Sequence, residues 1–131
     1  MLPCVVLGDS LAVGVGHFRP ECQTVAQIGI SSDRYIQTLL VQHNVQTAII
    51  SLGVNDDTQA DTIANLRLVR AQVQADRVIW LLPGINSRAR RAIHKVAAEN
   101  GDRVIETGRF AGPDHLHPSG VGYESIAAIT R

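Results

Sequence analysis

Three short segments of the 131-residue chain carry side chains able to do chemistry together. Gly8-Asp9-Ser10-Leu11 follows an apolar run and enters a glycine-containing helical stretch, which puts Ser10 at the carboxyl end of a strand and the start of a helix. A serine there has an exposed hydroxyl and an outward-aimed backbone N–H, which suits a nucleophile. The tetrapeptide is equally explained if Asp9 or Ser10 only caps the helix. Gly53-Val54-Asn55-Asp56 follows a second apolar run. Its side-chain amide can donate to an oxyanion and its glycine allows close approach of substrate, although the same residues are good turn formers. Near the C-terminus stands Asp114-His115-Leu116-His117-Pro118. An aspartate three residues before a histidine can hold the imidazole through Nδ1–H and leave Nε2 free to take a proton. Two histidines with a carboxylate also make zinc conceivable, but no third strong ligand stands nearby in sequence.

These segments need a scaffold that delivers them to one place. Short runs rich in apolar and β-branched residues, Cys4 to Leu7, Thr24 to Gln27, Thr47 to Leu52, Arg77 to Leu82 and Arg103 to Ile105, read as strands covered on both faces. Between them, Asp33 to Gln42, Thr62 to Ala75 and Ala89 to Asn100 have apolar residues three and four apart, the period of amphipathic helices. Gly101 is placed to end the third in a left-handed cap, and a last helix runs from Ser119 to Ile129. Alternation of this kind requires right-handed crossovers and gives an α/β three-layer sandwich with a five-stranded parallel sheet. Ligands then bind at the carboxyl ends of the strands. All three chemical segments fall there.

Composition narrows the field. Residues 1–131 are expected to form a single domain, and 45% hydrophobic against 18% charged residues is ordinary globular composition. Twelve basic residues balance twelve acidic ones, so no net field recruits nucleic acid or an anionic membrane. Arg88, Arg90, Arg91, His94 and Lys95 lie at helical spacing and read as a solvated helix face. No apolar stretch approaches the ~20 residues needed to span a bilayer. No signal-peptide pattern opens the chain, so it is expected to be cytoplasmic or already processed. Cys4 and Cys22 match no zinc spacing and read as buried thiols, with a bridge as the less favoured alternative.

Taken together, the three segments resemble the SGNH (GDSL-type) hydrolases, whose signature blocks occur here in the family's order and at the ends of the corresponding strands. Gly8-Asp9-Ser10-Leu11 looks like the nucleophile block, Gly53-Val54-Asn55-Asp56 the asparagine block, and Asp114-x-x-His117-Pro118 the acid-base block. The resemblance spans nearly the whole chain and implies a flavodoxin-like sheet of order 2-1-3-4-5. One block departs from pattern. The family has a glycine after the second strand whose N–H joins the oxyanion hole, and here the segment reads Gly29-Ile30-Ser31-Ser32-Asp33. Two registers are open: Ser32 occupies the glycine position in one, Gly29 in the other.

The resemblance implies a serine esterase in which Ser10 attacks, His117 is the base and Asp114 orients it. The oxyanion would be held by the N–H of Ser10, that of Ser32 or Gly29, and the Asn55 amide. Asp9 and Asp56 read as structural, and His115 as a solvent-exposed neighbour of the base. No cofactor and no metal are required. Short connections and few aromatic residues predict a shallow cleft suited to a short acyl group, such as acetyl, on a small ester or an acylated glycan, with Arg88, Arg90 and Phe110 nearby. The alternatives are a lysophospholipase or thioesterase with longer chains, and a non-catalytic glycan-binding relic. A phosphate or nucleotide binder lacks its glycine-rich pattern after every strand.

Overall fold

The structure, a computed structural model, describes residues 2–131. In chain order the elements are β1 (Leu2–Gly8), α1 (Ser10–His17), β2 (Gln23–Ala26), α2 (Ser32–Thr38), β3 (His43–Ser51), α3 (Thr62–Ala71), β4 (Val73–Leu82), α4 (Ser87–Asn100), β5 (Arg103–Glu106), a 3-10 turn (Gly108–Phe110) and α5 (Gly120–Ile129). All strand pairs are parallel and the sheet order is β2-β1-β3-β4-β5, as expected from the sequence.

Strand period accounts for the layers. Successive side chains point to opposite faces. In the central strands, Val5, Leu7, Ala48, Ile50, Val78 and Trp80 go to one apolar cluster, with Tyr35 of α2, Leu66 and Val69 of α3, and Ile93 and Val96 of α4. Their neighbours Cys4, Val6, Ile49, Ile79 and Leu81 go to the other, with Leu11 and Val15 of α1 and Ile126 and Ala127 of α5. Both faces are thus covered, which is why the strands read as continuous apolar runs. Trp80 is fully buried, and its indole N–H donates to Asp102, which is also paired with Arg70 at 2.8 Å. That arrangement supplies the polar partner a buried indole requires.

Several boundaries move from their expected places. The helix expected over Asp33 to Gln42 ends at Thr38. The helix expected to reach Ala75 stops at Ala71, and Val73 to Ala75 open β4 instead. Val73 continues the helical apolar spacing of Leu66 and Val69, but the ladder pairs His43, Asn44 and Val45 with Val73, Gln74 and Ala75 and takes these residues into the sheet. The same ladder starts β3 at His43, well before the expected Thr47.

The cysteines are also corrected. Cys4 and Cys22 form a disulfide and are not free thiols. Val5 pairs with Gln23 in the β1–β2 register, so the preceding residues face each other with Cα atoms 4.7 Å apart. The bridge ties the edge strand β2 to β1 at the end of the sheet opposite Ser10.

Candidate active site

Ser10 is delivered by a sharp turn out of β1. Gly8 has φ +132°, and a Cβ there would sit 1.6 Å from the Ser51 carbonyl oxygen at the end of β3. Only glycine fits that approach. Asp9 follows, donating its N–H to the Ser51 oxygen at 2.9 Å and capping α1 by accepting the Leu11 N–H at 3.1 Å. Ser10 is the first residue of α1, where the backbone N–H has no partner within the helix. A second close contact seats the helix. The Tyr123 ring of α5 lies where a Cβ on Gly14 would be, and its hydroxyl approaches the Ser10 carbonyl oxygen at 3.5 Å.

The acid-base block is a folded loop between β5 and α5. Ala111 bridges to Pro118, Gly112 donates to the His117 oxygen at 2.8 Å, and His115 donates to the Gly112 oxygen at 3.0 Å. His115 occupies the left-handed region at φ 62° and faces solvent, whereas Leu116 turns into the core. This places His117 over Ser10. His117 Nε2 lies 2.9 Å from Ser10 Oγ, and its Nδ1 lies 2.6 Å from Asp114 Oδ2. The other Asp114 oxygen accepts the N–H groups of Leu116 and His117 at 2.9 and 2.8 Å. The Leu116 N–H, the His117 ring and the His117 N–H, in that order, hold the Asp114 carboxyl down at about 2. Asp114 therefore stays ionised through the neutral range.

The donors of the expected oxyanion hole divide. Asn55 is exposed in the loop after β3, and its amide donates to the Ile30 oxygen at 3.1 Å, leaving one amide hydrogen. Ser32 is buried, and its N–H donates to Asp56 Oδ1 at 2.7 Å. Asp56 Oδ2 also accepts the hydroxyls of Ser32 and Thr62 at 2.6 and 2.7 Å, so this carboxylate locks the loops after β2 and β3 together. Gly29 is exposed, with φ +77° and open space around it.

Other expected site neighbours serve the scaffold. Arg88 donates to the carbonyl oxygens of Asp57, at 2.8 Å, and Ala60. Arg90 donates to the Pro83 oxygen at 2.6 Å and pairs with Glu106. Phe110 lies under the Arg109 guanidinium and against the α1/α5 apolar cluster. Cys4, Glu21 and Cys22 bring three ligand-type atoms together, but both sulfurs are spent on the disulfide, so the group does not have the donor chemistry of a metal site. Cavities of about 400, 310 and 250 Å³ lie along β5, at the amino-terminal end of β4 and between α3 and α4. None of the three is lined by Ser10, Asn55 or His117. The His117 and Asp114 side chains are 46% and 52% exposed, so the candidate site is open and shallow.

No family model matches the chain, and no curated protein matches it in sequence. Solved structures do. A member of the lipolytic protein G-D-S-L family from Veillonella parvula is similar over 98% of this chain and 95% of its own, with a TM-score of 0.61 and 16% identity. The phospholipase A1 of Streptomyces albidoflavus is similar over 98% of this chain and 99% of its own, with a TM-score of 0.65 and 17% identity. The C-terminal catalytic domain of Streptococcus pneumoniae peptidoglycan O-acetyltransferase A is similar over 96% of this chain and 88% of its own, with a TM-score of 0.56 and 17% identity. The chain has the SGNH hydrolase-type fold.

Proposed function

We propose that this protein is a serine esterase that hydrolyses short-acyl, acetyl-type carboxylic esters of small or carbohydrate alcohols. The observation that carries the reading is the Ser10–His117–Asp114 line, with separations of 2.9 and 2.6 Å. Ser10 Oγ attacks the acyl carbonyl carbon as its proton passes to His117 Nε2, and Asp114 stabilises the imidazolium. The oxyanion is held by the Ser10 N–H and the free Asn55 amide hydrogen. Gly29 is the better second-loop donor, because the Ser32 N–H is committed to Asp56. Collapse breaks the bond to the alcohol, which takes the proton from His117. Water, deprotonated by the same imidazole, then releases the acid and restores Ser10. An intact nucleophile, base and orienting carboxylate speak against a binding relic.

A longer acyl chain is the second reading. Ile28 after β2, Ile85 after β4 and Val121 at the start of α5 are 71%, 39% and 75% exposed, and all lie at the end of the sheet that carries Ser10. Exposed aliphatic groups at this end of the sheet are what supports an apolar substrate. The Cys4–Cys22 bridge favours an oxidising compartment over the cytoplasmic location expected from the sequence. No helix among the described residues is long and apolar enough to cross a membrane.

Incubation with a fluorophosphonate followed by peptide mass spectrometry tests the reading. Modification at Ser10 and its loss in His117→Ala are expected, and an unmodified Ser10 rules out the esterase. A series of aryl esters then separates the two substrate readings, because an acyl groove rewards each buried methylene by ~0.8 kcal/mol.

A further inference from the structure

The residue before the nucleophile has no part in the steps above, yet its setting is the least comfortable in the molecule. Asp9 is fully buried. Its Oδ1 accepts the Leu11 N–H at 3.1 Å and the Ser51 hydroxyl at 2.8 Å, but Oδ2 is buried without any hydrogen-bond partner. An ionised carboxylate with an orphaned oxygen is costly, because burial disfavours the charged form unless hydrogen bonds or countercharges compensate. No countercharge compensates here. The groups that favour ionisation are the Ser51 hydroxyl, on β3, and the backbone N–H groups of Leu11, Asp9 and Ala12. From α5 comes the Tyr123 hydroxyl. Burial holds its proton more tightly, and the negative charges of Asp9 and Asp114 add to this. His117 faces the turn from the last loop through Ser10 Oγ.

We propose that Asp9 is a positioning residue for the nucleophile, its ionised carboxylate fastening the Ser10 turn to the end of β3 and releasing it on mild acidification. This rests on the reading of Ser10 as nucleophile. Oδ1 joins two elements: the first turn of α1, through Leu11, and the last residue of β3, through Ser51. Hydrogen bonds to an ionised acceptor are about twice as strong as neutral ones, and a negative charge at a helix N-terminus is favourable. Protonation removes both effects at the residue adjoining Ser10. Misplacement of a reacting group by ~1 Å can cost about 100-fold in rate.

The pH at which this happens lies near neutrality. Burial raises the Asp9 carboxyl from 3.8 to about 6. The folded state then binds the proton more tightly than the unfolded chain, so this group's contribution to stability is largest below about 4, falls between about 4 and 6, and is lost above. Stability and positioning therefore run in opposite directions with pH. A residue that served only the fold would not show this.

Nuclear magnetic resonance on the intact protein reads the proposal without substrate. The Asp9 carboxyl carbon is expected to titrate about 6, and the Ser10 amide to move with the same midpoint. Ser51→Ala removes the leading donor and should carry both midpoints to higher pH together. Asp9→Asn, the uncharged mimic, should abolish the Ser10 amide transition and slow fluorophosphonate labelling at pH 8 at least tenfold. An Asp9 carboxyl titrating near 3.8, or a Ser10 amide that ignores it, overturns the proposal. If the two midpoints move together but Ser10 is never labelled at any pH, positioning stands and the esterase reading fails.

Discussion

Ser32 gives both its backbone N–H and its hydroxyl to the two carboxylate oxygens of Asp56, at 2.7 and 2.6 Å. Ser32, which holds the glycine position of the oxyanion loop in one of the two registers, is therefore a strut between loops. Thr62 makes the third bond to the same carboxylate, and Asn65 donates to the Ser32 hydroxyl and to Asp33. Hydrogen bonds to a charged acceptor are worth about 1.5–3 kcal/mol each, so Asp56→Ala should destabilise the protein by at least ~2 kcal/mol in urea unfolding. It should also lower esterase kcat, because the Asn55 and Gly29 loops lose their common anchor. Ser32→Ala keeps the N–H bond to Asp56 and removes only the hydroxyl, and kcat within about threefold of wild type is expected; a loss comparable to that of Asn55→Ala would mean that the Ser32 hydroxyl does more than brace the loops.

Asn55→Ala tests the proposed oxyanion hole directly. Removing one such donor costs about 2.7–4 kcal/mol of transition-state stabilisation, a fall of about 100- to 1000-fold in kcat with KM little changed. The Ile30 carbonyl also loses its amide partner, so a thermal melt belongs beside the kinetics. A variant that melts as wild type and keeps its kcat would remove Asn55 from the mechanism.

His117 and His115 should behave very differently. His117→Ala is expected to abolish turnover and labelling while the fold persists, since the imidazole is half exposed and the loop is held by the Ala111–Pro118 bridge and by Leu116. His115 needs a subtler substitution. Its φ of 62° is strained for alanine, whereas asparagine tolerates this region. His115→Asn should leave kcat/KM within about threefold, and a larger loss than that of His117→Ala would reverse the two assignments.

How far the sequence foretold these features depends on whether the signal was local. The contact of Ser10 with His117 and Asp114 is legible because each lies in a short segment whose residue types suit one chemical role, Ser10 at the end of an apolar strand and Asp114-x-x-His117 in the loop before the last helix. The layered αβα sandwich was readable for a related reason: the central strands bury both faces, which leaves uninterrupted Val, Ile and Leu runs; the sheet order came only with the family resemblance. Features set by pairing across the chain were not legible. The Cys4–Cys22 bridge follows from the β1–β2 register. The true start of β4 follows from the ladder with β3, against a local helical period. Arg88 and Arg90 read as a solvated helix face because nothing nearby in sequence announces the carbonyls they bind.

The disulfide carries its own prediction. Closing a loop of this length, with a sequence separation of 18, restricts the unfolded chain by about 3 kcal/mol. Reduction, or the double variant Cys4→Ala/Cys22→Ala, should lower the unfolding free energy by roughly that amount. The intact oxidised protein should show no thiol to an alkylating reagent until reduced. Two reactive thiols in protein prepared under oxidising conditions would contradict the bridge.

Asp114→Asn separates orientation from charge. The carboxylate holds the proton on His117 Nδ1, which leaves Nε2 as acceptor toward Ser10 Oγ; an amide that turns its NH2 group toward Nδ1 selects the opposite tautomer, and Nε2 then donates where it should accept. A fall in kcat of about 10³-fold or more is expected, with the backbone bonds from Leu116 and His117 preserved by the remaining carbonyl oxygen. The pH behaviour follows from the direction of the shift. The carboxyl is lowered from 3.8 to about 2 in the fold, so its stabilising contribution is complete above the unfolded value and is lost only as the pH falls from about 4 to about 2. Asp114 should thus add no inflection to the kcat/KM profile between pH 5 and 8. An inflection in that range that survives in Ser51→Ala at its original position, yet vanishes in Asp114→Asn, would mean that the carboxylate is far less firmly held than the Leu116 and His117 N–H groups require.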